Sequence, residues 1–217
     1  MFVSNQKIRS SGASPEASSA SCFSSLGAPP QLLDGELTRA MIASHRREFL
    51  NSDTDFQRLA SPIMKCLKAL TVAFGSLEAV RGARIVDVAC GSRLCDGNRE
   101  GRFDPWMSRV LHHLGARPLG VDIALQWNEP FESRVVDLTM PGALDFLEAQ
   151  SIDGYYVHGF PNSATLTAID RQGSTWESVR SSIEGSLTRA LRPTGTIVRG
   201  FTEENEEWVR SALAKPR

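Results

Sequence analysis

The stretch ARIVDVACGSRLCDGNREGRFDPWMSRVLHHLGARPLGVDI, residues 83–123, decides the fold. It opens on RIVDVA, a short apolar run suited to a strand covered on both faces. Gly91 then lets the chain turn sharply and come close to a ligand without a Cβ in the way. A polar loop follows, residues 92–104. Asp104 and Pro105 read as the N-cap and first position of a helix. Met107, Val110, Leu111 and Leu114 form the buried stripe of that helix, and Gly115 ends it. RPLGVDI is a second strand, closed by Asp122.

The same alternation continues. RVVDL is a third strand, closed by Asp137. Pro141 is expected to open a helix carrying Leu144 and Leu147. IDGYYVHGF is a fourth strand, mixed aromatic and β-branched. Ser174 and Glu177 have the spacing of a capping box. They precede a helix with Val179, Ile183, Leu187 and Leu191 along one face. LRPTGTIVRGF gives a turn and a fifth strand. TEENEEWVRSAL is a last helix with acids in its first turn, where the helix dipole favours them. Strands alternating with helices imply an α/β fold: a doubly wound, mostly parallel sheet of about five strands.

Upstream, residues 34–76 follow helical spacing, through Leu37, Met41 and Ile42 and then Leu67, Leu70 and Phe74. Pro62 punctuates this stretch, so two or three helices are expected, the second half packing deeply. The first 30 residues are rich in Ser, Ala, Gly and Pro and are expected to be disordered. Lys7 and Arg9 precede the first acid, Glu16, a faint likeness to an organelle transit peptide. The chain is thus divided into a Ser/Ala-rich tail (1–33), an N-terminal helical cap (34–80) and a cofactor-binding domain (81–217).

The 217 residues suffice for one such domain and a tail. With 24 basic and 25 acidic residues the net charge is −1, which makes no electrostatic case for nucleic acid or a membrane surface. No apolar run approaches the roughly 20 residues that span a bilayer. Cys22, Cys66, Cys90 and Cys95 form no metal-ligand spacing with each other or with histidine, and reduced thiols in a cytoplasmic protein are the expectation.

In a doubly wound sheet, ligands bind beyond the carboxyl ends of the strands, where strand order reverses. Gly91, Asp122 and Asp137 close three successive strands at that rim. A carboxylate after the second strand can accept ribose hydroxyls, and one after the third can accept an adenine amino group. Each residue alone reads equally as a turn or loop cap; together they point to a nucleoside-containing ligand. His158 is the rim residue of the fourth strand that titrates near neutral pH, a candidate general base or else a hydrogen-bonded structural histidine. His112 and His113 diverge on their helix and make no metal pair. Trp106 and Trp176 read as core.

Taken in order, IVDVACGS, GARPLGVDI, RVVDLTMPGALDFL, IDGYYVHGF and LTRALRPTGTIVRGF resemble the motifs of the class I S-adenosylmethionine-dependent methyltransferases, over residues 83–201. The first carries the family's acid-x-x-x-Gly from Asp87; the fifth is similar to its Leu-x-Pro-Gly-Gly. The resemblance implies a Rossmann-like domain that binds S-adenosylmethionine. It would place Asp87, Ala89 and Gly91 against the methionine part, with Cys90 and Ser92 also in the cofactor-binding set. Asp122 would hold the ribose, with Ile123, Asp137 and Leu138 bordering the adenine, and His158 and Gly159 would flank the sulfonium. The helices of residues 34–76 would cover the pocket. Two features differ from the family: Ser92 and Arg93 follow Gly91 where Gly-x-Gly is usual, and the loop to Asp104 is long. The chain also looks shortened after the fifth strand, so a second copy or a partner chain is expected at that edge, the alternative being a monomer whose edge is guarded by Arg199 and the acids of TEENEE. The implied activity is methyl transfer to a small-molecule acceptor. A non-catalytic, methyltransferase-like binding or regulatory protein stays open, as does a dinucleotide-dependent oxidoreductase, which the missing Gly-x-Gly-x-x-Gly disfavours.

Overall fold

The computed structural model describes residues 30–44, 53–94 and 104–201. The expected disordered tail (1–33) lies outside these residues except at its end, where residues 30–33 already belong to the first helix; the centre of the long loop and the last helix also lie outside them.

Two helices come first: α1 (Pro30–Ser44) and α2 (Asp53–Phe74). Pro62 lies inside α2 and does not break it, so the division into separate helices falls before residue 53. Leu37, Leu67 and Leu70 are buried as their spacing predicts, whereas Ile42 is exposed. A single 3₁₀ turn at Glu78–Val80 leads into β1 (Arg84–Val88), followed by α3 (Trp106–His113) and β2 (Arg117–Asp122). Then come β3 (Glu132–Val135), β4 (Ile152–Val157), α4 (Ser163–Arg171), α5 (Trp176–Ala190) and β5 (Leu191–Arg199).

The strands form one sheet in the order β3-β2-β1-β4-β5, and every neighbouring pair is parallel. β1 is central and buried on both faces, the reason it reads as a nearly continuous apolar run. Ile85 faces one core with Cys66 and Leu70 of α2, Met107 and Leu111 of α3, and Tyr156 of β4. Val86 and Val88 face the other, with Val179, Ile183 and Leu187 of α5 and Leu166 and Ile169 of α4. Helices therefore cover both faces, as the alternation of elements predicts. Each buried Val, Leu or Ile of these stripes contributes about 1.5–3 kcal/mol relative to exposure. α1 docks behind α2 and α3 through Leu37, Ala40, Ile63, Leu67 and Val110.

Four local expectations are corrected. α3 starts at Trp106 with Pro105 as its N-cap residue, and the Asp104 carboxylate accepts from Arg109 instead. α5 is capped one residue later than expected: Thr175 Oγ1 accepts from the Ser178 N–H at 3.2 Å. No helix follows Pro141. Gly142, at φ +70°, interrupts the chain, and residues 138–150 run as successive turns that still bury Leu144 and Leu147. Finally, α4 has no counterpart in the sequence reading, although Asn162 caps it by accepting from the Thr165 N–H at 2.9 Å. The end of α3 agrees with expectation. Gly115 sits at φ +81°, and the Gly115 and Ala116 N–H groups donate back to His112 and Leu111, the double bond of a Schellman motif.

Candidate functional site

The strand order reverses direction between β1 and β4, and there a cleft of about 720 Å³ opens at the carboxyl ends of the strands. β1 contributes Ala89, Cys90 and Gly91 to its wall, β2 contributes Asp122 and Ile123, and β4 contributes His158 and Gly159. Asp137 and Leu138, just past β3, close the side away from β4. One rim thus gathers most of the candidates that the sequence singles out.

The turn after β1 is shaped by two left-handed residues, Ala89 at φ +55° and Gly91 at φ +84°. The second favours glycine; the first is rare for alanine and marks local strain at the cleft. Asp122 holds this turn. Its Oδ2 accepts from the Gly91 N–H at 2.9 Å and its Oδ1 from the Ala124 N–H at 3.0 Å. It is only 8% exposed. Beside it Ile123 is 66% exposed, an apolar side chain held at the mouth. The Asp137 carboxylate accepts from the Thr139 N–H and hydroxyl, both through Oδ1, at 3.0 and 2.7 Å.

Two candidates do not border the cleft. Asp87 points into the α2/α3 side of the sheet, where Ser108 Oγ donates to it at 2.7 Å. It is almost fully buried, and burial pushes its carboxyl up to about 7; the Ser108 hydrogen bonds oppose that shift and the Asp122 charge adds to it. Ser92 is buried in the loop, its hydroxyl donating to the Leu125 carbonyl at 2.7 Å and accepting from the Leu94 N–H at 3.0 Å. Both residues support the turn from behind, because strand alternation turns Asp87 to the helical face and the loop turns Ser92 inward.

His158 stands at the other end of the cleft. Its ring packs edge-on to Trp106, with centroids 5.8 Å apart, and lies 6.1 Å from that of Tyr156. Burial, helped by the nearby Arg199 charge, pushes its imidazole down to about 4. It is therefore neutral at physiological pH, and a weaker general base than one poised near 7. Its Nδ1 is buried with no hydrogen-bond partner.

Several wall residues escape the sequence reading. Trp106 borders the cleft besides packing on Tyr156. Phe160, Pro161 and the first turns of α4 form another wall, and Asp104, Val136 and Thr139 also border the cleft; the Asn162-x-x-Thr165 spacing is the signal that could have located the α4 wall. Behind the wall, Arg109 is 5% exposed and ties the end of the β1–α3 loop to the end of the β2–β3 loop. It donates to Asp104 at 2.7 Å, to both oxygens of Glu129 at 2.8 and 2.6 Å, and to the Ser44 carbonyl at 2.9 Å. A buried guanidinium so fully paired fixes geometry more than it adds stability.

None of the residues of α1 or α2 described in side-chain detail borders this cleft, so these helices cover a face of the sheet and not its mouth. A second cleft, of about 580 Å³, lies at the opposite, amino end of the strands, between α1, the end of α2 and the end of α3. Its Glu36 is already paired with Arg39 and His113. Among the described residues there is no cluster of three or more metal-ligating side chains, and no helix is long and apolar enough to cross a membrane.

An all-parallel, doubly wound sheet with a cleft at its switch point defines a Rossmann-like α/β protein. No protein-family model matches the chain, and no curated protein matches it.

Proposed function

We propose that the chain is an S-adenosylmethionine-dependent methyltransferase acting on a small-molecule acceptor. The observation that carries this reading is the convergence of Gly91, Asp122, Ile123, Asp137, Leu138 and His158 on one cleft at the switch point. The cleft volume falls in the range of small-molecule sites. The residues present fit the cofactor. Gly91 offers an approach free of a Cβ, and Asp122 a buried carboxylate with lone pairs left after its two backbone bonds. Ile123 and Leu138 offer apolar sides for a purine. Gly-x-Gly is absent, but the left-handed Ala89 gives the turn a second sharp bend.

When bound, S-adenosylmethionine supplies a methyl group already activated by its sulfonium. The protein's work is then alignment and exclusion of water. Asp122 and the turn at Gly91 fix one end of the cleft. The pairing of Trp106 with His158 shapes the other, where the neutral imidazole orients an acceptor and takes up a proton only weakly.

A second reading, a cofactor-binding protein without catalysis, is favoured by one observation: the imidazole at the acceptor end is held far below neutrality. The two readings separate on turnover. Calorimetry with S-adenosylmethionine and its demethylated product tests binding, and methyl transfer to a panel of hydroxyl, carboxylate and amine acceptors tests activity. Binding without transfer to any class selects the second reading; absence of binding removes both.

A further inference from the structure

In a Rossmann-like fold a bound diphosphate is met at two places: by N–H groups of the turn after the first strand, and by those at the start of the helix that follows. In this chain both places are engaged by the protein's own groups. In the turn, the Cys90 N–H donates to the Val121 carbonyl at 3.1 Å and the Gly91 N–H to Asp122 Oδ2 at 2.9 Å. The Gly91 carbonyl accepts from Gln126 Nε2 at 2.7 Å, so Gly91 is fastened through both its N–H and its carbonyl to the segment after β2. Ser92 Oγ adds a third tie by donating to the Leu125 carbonyl at 2.7 Å. At the start of α3, the Trp106 N–H closes on the Asp104 carbonyl at 2.7 Å. Ser108, in the first turn of α3, donates its hydroxyl at 2.7 Å to Asp87, which does not border the cleft.

A phosphate brought to this turn has to displace the Asp122 carboxylate from Gly91 and then lie against its charge. The first step leaves a buried acceptor short of a donor, and the second sets like charges side by side. A neutral or cationic group meets neither obstacle. We propose that the turn at Gly91, closed by Asp122 and Gln126, makes the cleft select nucleosides that carry no phosphate there and reject nucleotides and dinucleotides. Asp122 and Gln126 are then specificity-determining residues, and Asp87 draws the start of α3 away from the ligand. The nucleoside part of this statement rests on the proposed function; the closure of the turn to phosphate does not.

The test uses the full chain, with inorganic pyrophosphate as probe and the Gly91 amide read by NMR. Pyrophosphate should leave the wild-type Gly91 resonance in place. In Asp122→Ala the released Gly91 and Ala124 N–H groups should respond to it, with affinity about tenfold or more above the wild type. Asp122→Asn removes the charge and keeps an oxygen for one of the two N–H groups; it should show a smaller gain, and it decides alone if Asp122→Ala does not fold. Calorimetry on the wild type compares adenosine with adenosine monophosphate and adenosine diphosphate, and each phosphate should weaken binding about tenfold. A shift of the wild-type Gly91 resonance by pyrophosphate, no gain in the variants, or adenosine diphosphate binding as tightly as adenosine overturns the proposal. If S-adenosylmethionine binds while pyrophosphate shifts wild-type Gly91, the closed turn alone is lost. If neither adenosine nor S-adenosylmethionine binds, the nucleoside reading is lost, and the pyrophosphate titration still decides on the turn.

Discussion

Asp87 and Asp122 occupy neighbouring strands, and their surroundings give them different work. Asp87 is sealed beneath α3 with Ser108 as hydrogen-bond donor; the Asp122 charge lies nearby, and Cys66 of α2 and Tyr156 of β4 sense the Asp87 charge. Its folded-state value of about 7 lies above the ordinary 3.8. The native state therefore keeps a proton that the unfolded chain releases, and the contribution of Asp87 to stability is greatest below about pH 4, falls as pH rises to about 7, and then levels off. Asp87→Asn keeps an acceptor for Ser108 and removes the titration. Chemical denaturation across this window should show a flatter curve for the variant, which should exceed the wild type at about pH 8. Parallel curves would mean that Asp87 is not the buried acid responsible. Asp122 instead holds two backbone N–H groups. Asp122→Ala leaves both unpaired and should cost about 2–3 kcal/mol of stability as well as ligand affinity. A variant with wild-type stability would contradict the role of Asp122 in holding the turn.

Among the elements, α4 shows how a wall of the cleft depends on one cap. Asn162 satisfies the Thr165 N–H at the end of α4 that faces the cleft. Asn162→Ala should cost about 1 kcal/mol and speed amide exchange in the first turn of α4 with little change in β1. Equal exchange in the two proteins would show that the helix is held by Leu166 and Ile169 alone. The junction of β2 with α3 is a second such point. A Cβ on Gly120 would lie 2.9 Å from Cys90 Sγ and from Phe131, and 3.3 Å from Ser108 Oγ. Gly120→Ala should destabilise the protein by about 1–3 kcal/mol and loosen the turn at Cys90; retained stability would mean that α3 shifts freely over β2.

β1 and β4 were legible because a parallel sheet covered on both faces demands continuous apolar runs, and RIVDVA and IDGYYV are such runs; β3 was placed too late, since it runs Glu132–Val135 with exposed residues and not over RVVDL, and Leu191, read as part of the helix before it, opens β5. α5 was legible from the spacing of Val179, Ile183 and Leu187. α4 was not, since Leu166 and Ile169 make too short a stripe to stand out in SATLTAIDR. The absent helix after Pro141 has a different cause. Leu144 and Leu147 are buried at helical spacing, but the left-handed Gly142 holds the chain in turns. In the candidate site the strand-end residues were readable from position alone. What could not be read was side-chain direction: Asp87 and Ser92 turn inward, while Trp106, assigned to the core, also meets the cleft.

For the molecule as a whole, the sheet order, the cleft at its switch point and the Asp122 carboxylate are compatible with several nucleoside ligands. Calorimetric titration of the full chain with S-adenosylmethionine, its demethylated product and NAD addresses this most directly. The account predicts that the first two bind at one site, that NAD does not, and that Asp122→Ala loses roughly ten- to a hundredfold in affinity. Binding of NAD in preference to S-adenosylmethionine, or of none of the three, would contradict it.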